Sequence, residues 1–143
     1  MNLAEWLDYQ QRVHPSEIAL GLERVGAVAK TLGLGRPAKR VISVAGTNGK
    51  GSTVAFIEAI ARAGGARVGA YTSPHLLRYN ERVRIDGREA DDAALVAAFE
   101  KIEAARGQTP LTYFEFGTLA ALLLFAEAGL ALAVLVVVIV GEA

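Results

Sequence analysis

The chain of 143 residues is long enough for one domain with a real hydrophobic core, and it is short for an enzyme that must hold several substrates. Fifteen basic and fifteen acidic residues balance, so no large electrostatic field recruits nucleic acid or an anionic membrane. The chain has no cysteine, which excludes disulfides and thiolate metal sites, and its acidic N-terminal segment does not predict a signal peptide, so a cytoplasmic location is expected.

Two helices and a strand are predicted first. Helical apolar spacing runs over residues 3–11 and 16–32, and it is interrupted at His14-Pro15. Glycine and proline at residues 33–37 then stop the second helix. The β-branched run at residues 41–44 follows, and it predicts a short buried strand.

A third helix and a second strand come next, and with the first strand they make a β-α-β unit. The helix is predicted from its apolar spacing and ends at Gly64-Gly65, and the strand covers residues 67–71. Such a unit crosses over right-handed and forms the core of a parallel sheet. The apolar positions that predict this helix are Val54, Ile57, Ile60 and Ala61.

The second half of the chain predicts a short extended piece and two amphipathic helices. Residues 83–86 are extended and turn at Gly87, and residues 91–106 and 113–128 have helical apolar spacing. The apolar run at residues 130–140 is consistent with a buried parallel strand or with part of a membrane span. Glu127 and Gly129 interrupt the apolar sequence just before the run, and the run itself is rich in β-branched residues, so the strand is favoured.

The sequence GTNGKGST, between the first strand and the third helix, has the composition of a phosphate-binding loop. Its glycines let backbone N–H groups point at phosphate oxygens, and Lys50 adds a charge for the β- and γ-phosphates. Ser52 or Thr53 offers a hydroxyl toward Mg²⁺, and the following helix favours an anion at its N-terminus. The loop is a variant, because the usual motif has a glycine and a hydroxyl residue where this chain has Val44 and Gly51. An ordinary glycine-rich turn is the alternative, and the Gly-Lys pair between a strand and a helix favours phosphate binding.

Several motifs match one enzyme family in order and spacing. GTNGKGS closely resembles the nucleotide loop of folylpolyglutamate synthases and dihydrofolate synthases, which are relatives of the Mur ligases. LGLERV at residues 20–25, YTSPHL at 71–76, NER at 80–82 and LTYFEFGT at 111–118 resemble motifs of the bacterial bifunctional enzyme. Together these motifs cover nearly the whole chain, which makes the resemblance far more specific than the loop alone.

The resemblance implies an α/β fold with a P-loop-containing parallel sheet and flanking helices, like the central domain of a Mur ligase. It implies an ATP-dependent ligase of folate biosynthesis and one-carbon metabolism, which uses Mg²⁺ and adds L-glutamate to dihydropteroate or folates through an acyl phosphate. Family members are much longer, so residues 1–143 are expected to be the N-terminal part of the ATP-binding domain, without the C-terminal glutamate-binding domain. The expected partners are ATP, dihydropteroate or folate, and L-glutamate, with no nucleic acid or membrane, and a monomer is expected.

The resemblance also assigns residues to the nucleotide and to the pterin side. Lys50 is implied as the catalytic residue that neutralises phosphate charge, and Tyr113 or Phe114 as the residue that faces the pterin ring. The family motif usually has aspartate where this chain has Ala19, so one polar contact is in doubt. The implied ATP contacts are Gly49, Lys50, Gly51 and Ser52. The implied dihydropteroate contacts are Ala19, Leu20, Gly21, Leu22, Thr112, Tyr113, Phe114 and Glu115.

Three further groups have a structural as well as a functional interpretation. Ser73, after the second strand, is a turn residue by its context, and the resemblance makes it a Mg²⁺ ligand. His75 in the same loop is expected to be a hydrogen-bonding structural residue. Thr112 and Glu115 form a capping box at a helix start, which is compatible with a ligand contact. The NER motif is either an exposed polar turn or part of the frame of the active-site loop.

The chain departs from the family at its end. Aligned without gaps, Val136 stands at the position of a metal-ligating glutamate, Val138 and Val140 at two glycines, and Glu142 at an arginine. Valine has no oxygen to offer a hard cation, so little ligase activity is expected from this chain alone. The alternatives are a non-catalytic ATP-binding fragment and a small P-loop NTPase unrelated to folate.

Overall fold

The structure, a computed structural model, describes residues 1–13, 23–45, 50–73 and 75–136 of the chain. The helices in these ranges are α1 (Leu3–Val13), α2 (Glu23–Leu32), α3 (Lys50–Ala63), α4 (Asp92–Arg106) and α5 (Tyr113–Ala128), with a turn of 3₁₀ helix at Tyr79–Arg82. The strands are β1 (Ala38–Val44), β2 (Val68–Tyr71), β3 (Val83–Ile85), β4 (Arg88–Glu89) and β5 (Leu130–Val136). The chain divides into two compact units, Met1–Gly35 with Asp91–Leu124, and Arg36–Ala90 with Phe125–Ala143.

The first unit is helical and has an aromatic core. The ring of Phe99 in α4 lies 6.2 Å from the ring of Trp6 in α1 and 6.3 Å from the ring of Phe116 in α5, the latter edge-to-face. Helix α4 begins after Asp91, whose carboxylate accepts the N–H of Ala94 at 2.8 Å as an N-cap. The predicted helices at 91–106 and 113–128 are confirmed, and α1 continues two residues beyond its prediction.

The second unit is built on a five-stranded sheet with the order β1-β5-β2-β3-β4. Strands β1, β5 and β2 are parallel, whereas β3 pairs antiparallel with both β2 and β4. The sheet is therefore mixed, because the extended piece predicted to turn at Gly87 is a hairpin that adds two antiparallel strands at one edge. The parallel part contains the predicted strands, with β5 inserted between β1 and β2.

Strand β1 corrects one prediction, because it is not buried. Val41 and Ile42 point to opposite faces of the sheet, and each keeps 39% of its surface exposed. The physical reason is position: β1 is an edge strand of the described sheet, with a neighbour on one side. An apolar β-branched run predicts a strand, but it does not tell an edge from a centre.

Helix α3 packs on the sheet through a narrower stripe than predicted. Val54 is fully buried against Val68, Ala70, Val134 and Val136, and Ile57 and Ala61 pack on the same cluster. Ile60 was predicted to belong to that stripe and is 71% exposed. It lies about 120° around the helix from Val54, because each residue advances the helix by about 100°.

The apolar run at residues 130–140 is a strand over its described part, as predicted. Gly129, with φ of +67°, ends α5 and lets the chain turn into β5. Leu130, Ala133 and Val134 are buried where β5 runs between two parallel neighbours. In the described ranges, no helix combines the length and the apolar character that crossing a membrane requires.

Candidate functional site

The carboxyl ends of the three parallel strands meet at one edge of the sheet. Val44 at the end of β1 pairs with Val136 of β5, and Tyr71 at the end of β2 pairs with Leu135 of the same strand. Because neighbouring strands are about 4.8 Å apart, the ends of β1 and β2 are separated by about 10 Å. Open α/β sheets bind ligands at this edge, so the segments that follow β1 and β2 are the candidate site.

Helix α3 begins at this edge with an unusual first turn. The turn starts at Lys50 and contains Ser52 and Thr53, both exposed, and it has no acidic residue. Each of the other α-helices in the described ranges has an acid in its first turn, which complements the positive end of its dipole. Those acids are Glu5, Glu23, Asp92 and Glu115. The start of α3 therefore favours an anion from outside the helix.

The predicted order of strand, glycine-rich segment and helix is confirmed. Gly49 lies outside the described residues, and for Lys50 and Gly51 the structure describes the helical backbone without the side-chain surroundings. Ser52 is exposed in the first turn. Contact of these four residues with phosphate therefore stays a prediction.

The loop after β2 places Ser73, half-buried, at the same edge of the sheet. Its neighbour Thr72 is held by its N–H, which donates to the carbonyl of Arg82 at 2.9 Å. Arg82 also donates from Nε to Nδ1 of His75 at 2.9 Å, and its guanidinium lies 5.0 Å from the ring centre of Tyr79. His75 thus makes the structural hydrogen bond that was predicted for it, and a metal-binding role of Ser73 remains a prediction.

The carboxylate of Glu81 caps the far end of this loop. It accepts the backbone N–H groups of Leu76 at 2.8 Å, and of Leu77 and Arg78 at 3.0 Å each. These bonds, that from Leu76 foremost, lower the pKa of Glu81, because they stabilise its ionised form.

The NER motif is not an exposed turn. Asn80 is 3% exposed and donates from Nδ2 to the carbonyl of Ala90 at 2.8 Å, and Arg82 is also buried. The interpretation as an exposed polar turn is therefore wrong. Ala90, directly after the hairpin of β3 and β4, supplies the backbone partner of Asn80, whereas Glu81 and Arg82 bond to the loop after β2.

At the start of α5, the predicted capping box is confirmed. The N–H of Thr112 donates to Glu115 Oε1 at 2.9 Å, and the N–H of Glu115 donates to Thr112 Oγ1 at 3.1 Å. Arg24 of α2 adds a bidentate ion pair, with Nη2 at 2.7 Å and Nε at 3.2 Å from the two carboxylate oxygens. Tyr113 and Phe114 are half-buried beside it. Ala19, Leu20, Gly21 and Leu22, the other predicted pterin-side residues, lie outside the described residues.

Val136 belongs to the hydrophobic core. Its side chain packs in the same cluster as Val54 and Val134 and is almost completely buried. It therefore has neither the chemistry nor the exposure of a metal ligand. In the described ranges, histidine and carboxylate side chains do not come together in any group of three or more that could hold a metal ion.

One partly buried ion pair is not predicted by the sequence patterns. Glu58 of α3 and Arg84 of β3 form a bidentate ion pair inside the second unit. A signal was present, since Glu58 follows Val54 by one helical turn and so lies on the apolar face, where a charge requires a partner. The partner itself lies 26 residues away in the chain and could not be read from local spacing.

Comparison with known proteins gives strong relatives, although no family model matches the chain. The dihydrofolate synthase/folylpolyglutamate synthase of Escherichia coli is 53% identical over 133 residues, which are 93% of this chain and 32% of the relative. Escherichia coli FolC in complex with DHPP and ADP superposes with a TM-score of 0.95 at 52% identity, covering 99% of this chain and 34% of that one. A bifunctional folylpolyglutamate synthase/dihydrofolate synthase with Mn, AMPPNP and L-glutamate bound gives 0.92 at 53% identity, with the same coverage.

The second unit, with its parallel strands, a helix starting at their carboxyl edge and an antiparallel hairpin, belongs to an open α/β fold of the Mur-ligase-like class. The chain is a homologue of the dihydrofolate synthase/folylpolyglutamate synthases, so the resemblance stated from its motifs is confirmed. It spans about a third of the length of the relatives it matches.

Proposed function

We propose that this chain forms the nucleotide-binding part of an ATP-dependent ligase that adds L-glutamate to dihydropteroate, to folates or to both. The observation that carries the proposal is the start of α3, which lies at the carboxyl edge of the parallel strands and has Lys50 and no acid in its first turn. Relatives that hold ADP, or AMPPNP with L-glutamate, share the fold over 99% of the chain. The homology removes the reason to consider an unrelated small NTPase.

The phosphates of ATP fit this helix start, because no carboxylate in the first turn repels them and exposed hydroxyls are present. Gly49, Lys50, Gly51 and Ser52 are proposed to hold them, with Lys50 neutralising the charge that moves during transfer. The substrate carboxylate attacks the γ-phosphorus, the bond to the β–γ bridging oxygen breaks, and ADP leaves. The amino group of L-glutamate then attacks the acyl phosphate, loses a proton and releases phosphate.

The pterin side is proposed to lie on Ala19, Leu20, Gly21, Leu22, Thr112, Tyr113, Phe114 and Glu115. Within the second motif, Tyr113 and Phe114 are half-buried and have ring faces suited to stacking. Thr112 and Glu115 are engaged with each other and with Arg24. We propose that these two hold the helix start rigid while the aromatic rings contact the pterin.

The metal site fits less well than the phosphate site. Mg²⁺ prefers several oxygen ligands, and when bound it would neutralise phosphate charge. Ser73 is proposed as its ligand, but Val136 is buried among apolar side chains and offers no oxygen. The described residues therefore do not complete a metal site, and no step of the proposed mechanism passes through one.

For the chain by itself we propose nucleotide binding with little or no ligase turnover, in a cytoplasmic monomer. Val136 supports the low turnover, because a core side chain stands where the family resemblance implies a metal-ligating glutamate. A non-catalytic ATP-binding fragment is the second candidate function, and the same valine favours it. Measured addition of glutamate to dihydropteroate distinguishes the two, since slow turnover supports a residual ligase and no turnover supports the fragment, whereas turnover near that of a complete enzyme would contradict both.

The test of nucleotide binding is a calorimetric titration of the chain with ATP. Replacing Lys50 by alanine removes the charge nearest the phosphates, so affinity for ATP should fall about tenfold or more. Lys39→Ala is the matched control, because Lys39 is equally a lysine, is exposed, and lies at the opposite end of β1 from the candidate site. Equal affinities of the Lys50→Ala variant and the unaltered chain would refute the phosphate-binding proposal.

A further inference from the structure

The second unit contains a partly buried ion pair that touches none of the residues proposed to contact ligands. Arg84 Nη2 lies 3.0 Å from Glu58 Oε1, and Arg84 Nε lies 3.3 Å from Glu58 Oε2. The side chains keep 23% and 9% of their surface exposed, respectively. The pair joins the middle of α3 to β3, which are separated along the chain by β2 and the turn of 3₁₀ helix.

Arg84 makes further contacts that involve the loop after β2. Its Nη1 donates to the carbonyl of Glu81 at 3.1 Å and lies 3.5 Å from Thr72 Oγ1. Thr72 is the residue immediately before Ser73. Its N–H donates to the carbonyl of Arg82, the last residue of the 3₁₀ turn. One guanidinium therefore connects α3, the loop after β2 and the turn of 3₁₀ helix.

Stability alone gives a weak reason for such a pair. Two charges taken out of water lose hydration that their mutual attraction roughly repays, so a buried pair contributes little net stability. What a bidentate arginine does supply is fixed geometry, because its planar fork matches the two oxygens in one orientation. Glu58 follows Lys50 by eight residues, or about 12 Å of helix, and so acts on the site from a distance.

We propose that Glu58 and Arg84 are positioning residues, which fix the Thr72–Ser73 segment relative to the helix that begins at Lys50. The inference rests on the proposed nucleotide site. The pair holds two segments that approach a bound nucleotide from different strands, one following β1 and one following β2, whose ends are about 10 Å apart. Lys50 is the proposed partner of the terminal phosphates and Ser73 lies across the same edge of the sheet, so a shift between the two segments affects ATP, which has the γ-phosphate, more than ADP.

The experiment measures the affinities of the full chain for ATP and for ADP after Arg84→Lys, which keeps the charge and removes the fork. We expect ATP affinity to fall about fivefold and ADP affinity less than twofold, the size of effect seen for residues that act without touching a ligand. Glu58→Gln, which retains the shape of the side chain, should give the same selective loss and replaces Arg84→Lys if that variant does not fold.

Arg24→Lys is the matched control, because Arg24 makes the same kind of bidentate pair with Glu115 in the first unit. It should lower thermal stability about as much as Arg84→Lys and leave the ratio of ATP to ADP affinity unchanged. The inference is overturned if Arg84→Lys and Glu58→Gln weaken both nucleotides equally, change neither, or match Arg24→Lys in that ratio. If the unaltered chain binds neither nucleotide, the proposed function fails, and this inference fails with it.

Discussion

Helices α3 and α5 begin with opposite chemistry. At α5, Thr112 and Glu115 satisfy each other's backbone N–H groups, and Arg24 neutralises the carboxylate. At α3, the first turn contains a lysine and two hydroxyl residues, with no acid. The positive end of the α5 dipole is therefore compensated by an acid of the chain itself. At the start of α3, a lysine adds its charge to the positive end of the helix dipole.

This difference shows how a helix start that is capped within the chain can be distinguished from one that is suited to bind a ligand. Apolar spacing predicts both helices equally well and says nothing about their ends. The first-turn residues carry that information, because a start without an internal acid favours an anion from elsewhere. In this chain the first turn of α3 supports the nucleotide site, and that of α5 supports a rigid platform beside Tyr113 and Phe114.

The largest expected effect comes from a change that removes the acid at the start of α5. Glu115→Ala removes the partner of Arg24 and an acceptor for Thr112 N–H, and it leaves a partly buried guanidinium unpaired. Unfolding free energy should fall by about 3 kcal/mol in a denaturant titration. Glu23→Ala, which removes an exposed first-turn acid from α2, should cost only about 0.5 kcal/mol. Similar losses for the two variants would show that the Arg24 pair contributes nothing beyond a helix-dipole effect.

A second change makes the start of α3 resemble that of α5. Thr53→Glu places an acid in the exposed first turn, where it is favourable for the helix and repels phosphate. We expect ATP affinity to fall about tenfold while the melting temperature is unchanged or slightly higher. Thr53→Gln is the neutral control of the same shape. Unaltered ATP affinity in the glutamate variant would remove the electrostatic basis of the comparison.

The smallest effect concerns Glu81, which caps loop N–H groups much as Glu115 caps a helix. The pKa of Glu81 is lowered in the folded chain. The stability that its ionised carboxylate contributes is therefore complete above the ordinary carboxyl pKa of 4.5 and is lost as pH falls through the lowered pKa. Amide hydrogen exchange at Leu76, Leu77 and Arg78, corrected for intrinsic rates, should therefore accelerate only below pH 4.5. In Glu81→Gln the pH step should be absent, and a step that persists there would assign it to another group.

Much of the fold could be predicted because its signals are local. The Asp91 cap, the Thr112–Glu115 box and the glycine that separates α5 from β5 each depend on residues close in sequence. The exposure of Val41 and Ile42 could not, because it follows from the place of β1 in the sheet. The Glu58–Arg84 pair likewise depends on the alignment of α3 with β3, which single-sequence spacing does not contain.

The candidate site was predicted in parts. The motif resemblance named the family, and the relatives bear it out. The buried role of Asn80 and Arg82 was left open between two interpretations, because burial came from the β3–β4 hairpin and not from the motif. The individual ligand contacts remain predictions, since they depend on molecules and chain segments outside the described residues.

We propose that the start of α3 takes the phosphates and that the start of α5 does not. The most direct measurement follows the backbone amide resonances of the labelled chain by NMR while ATP is added. We expect large saturable shifts at residues 50–53, with residues 112–115 unchanged. Shifts confined to residues 112–115, or none at residues 50–53 with ATP in large excess, would contradict it.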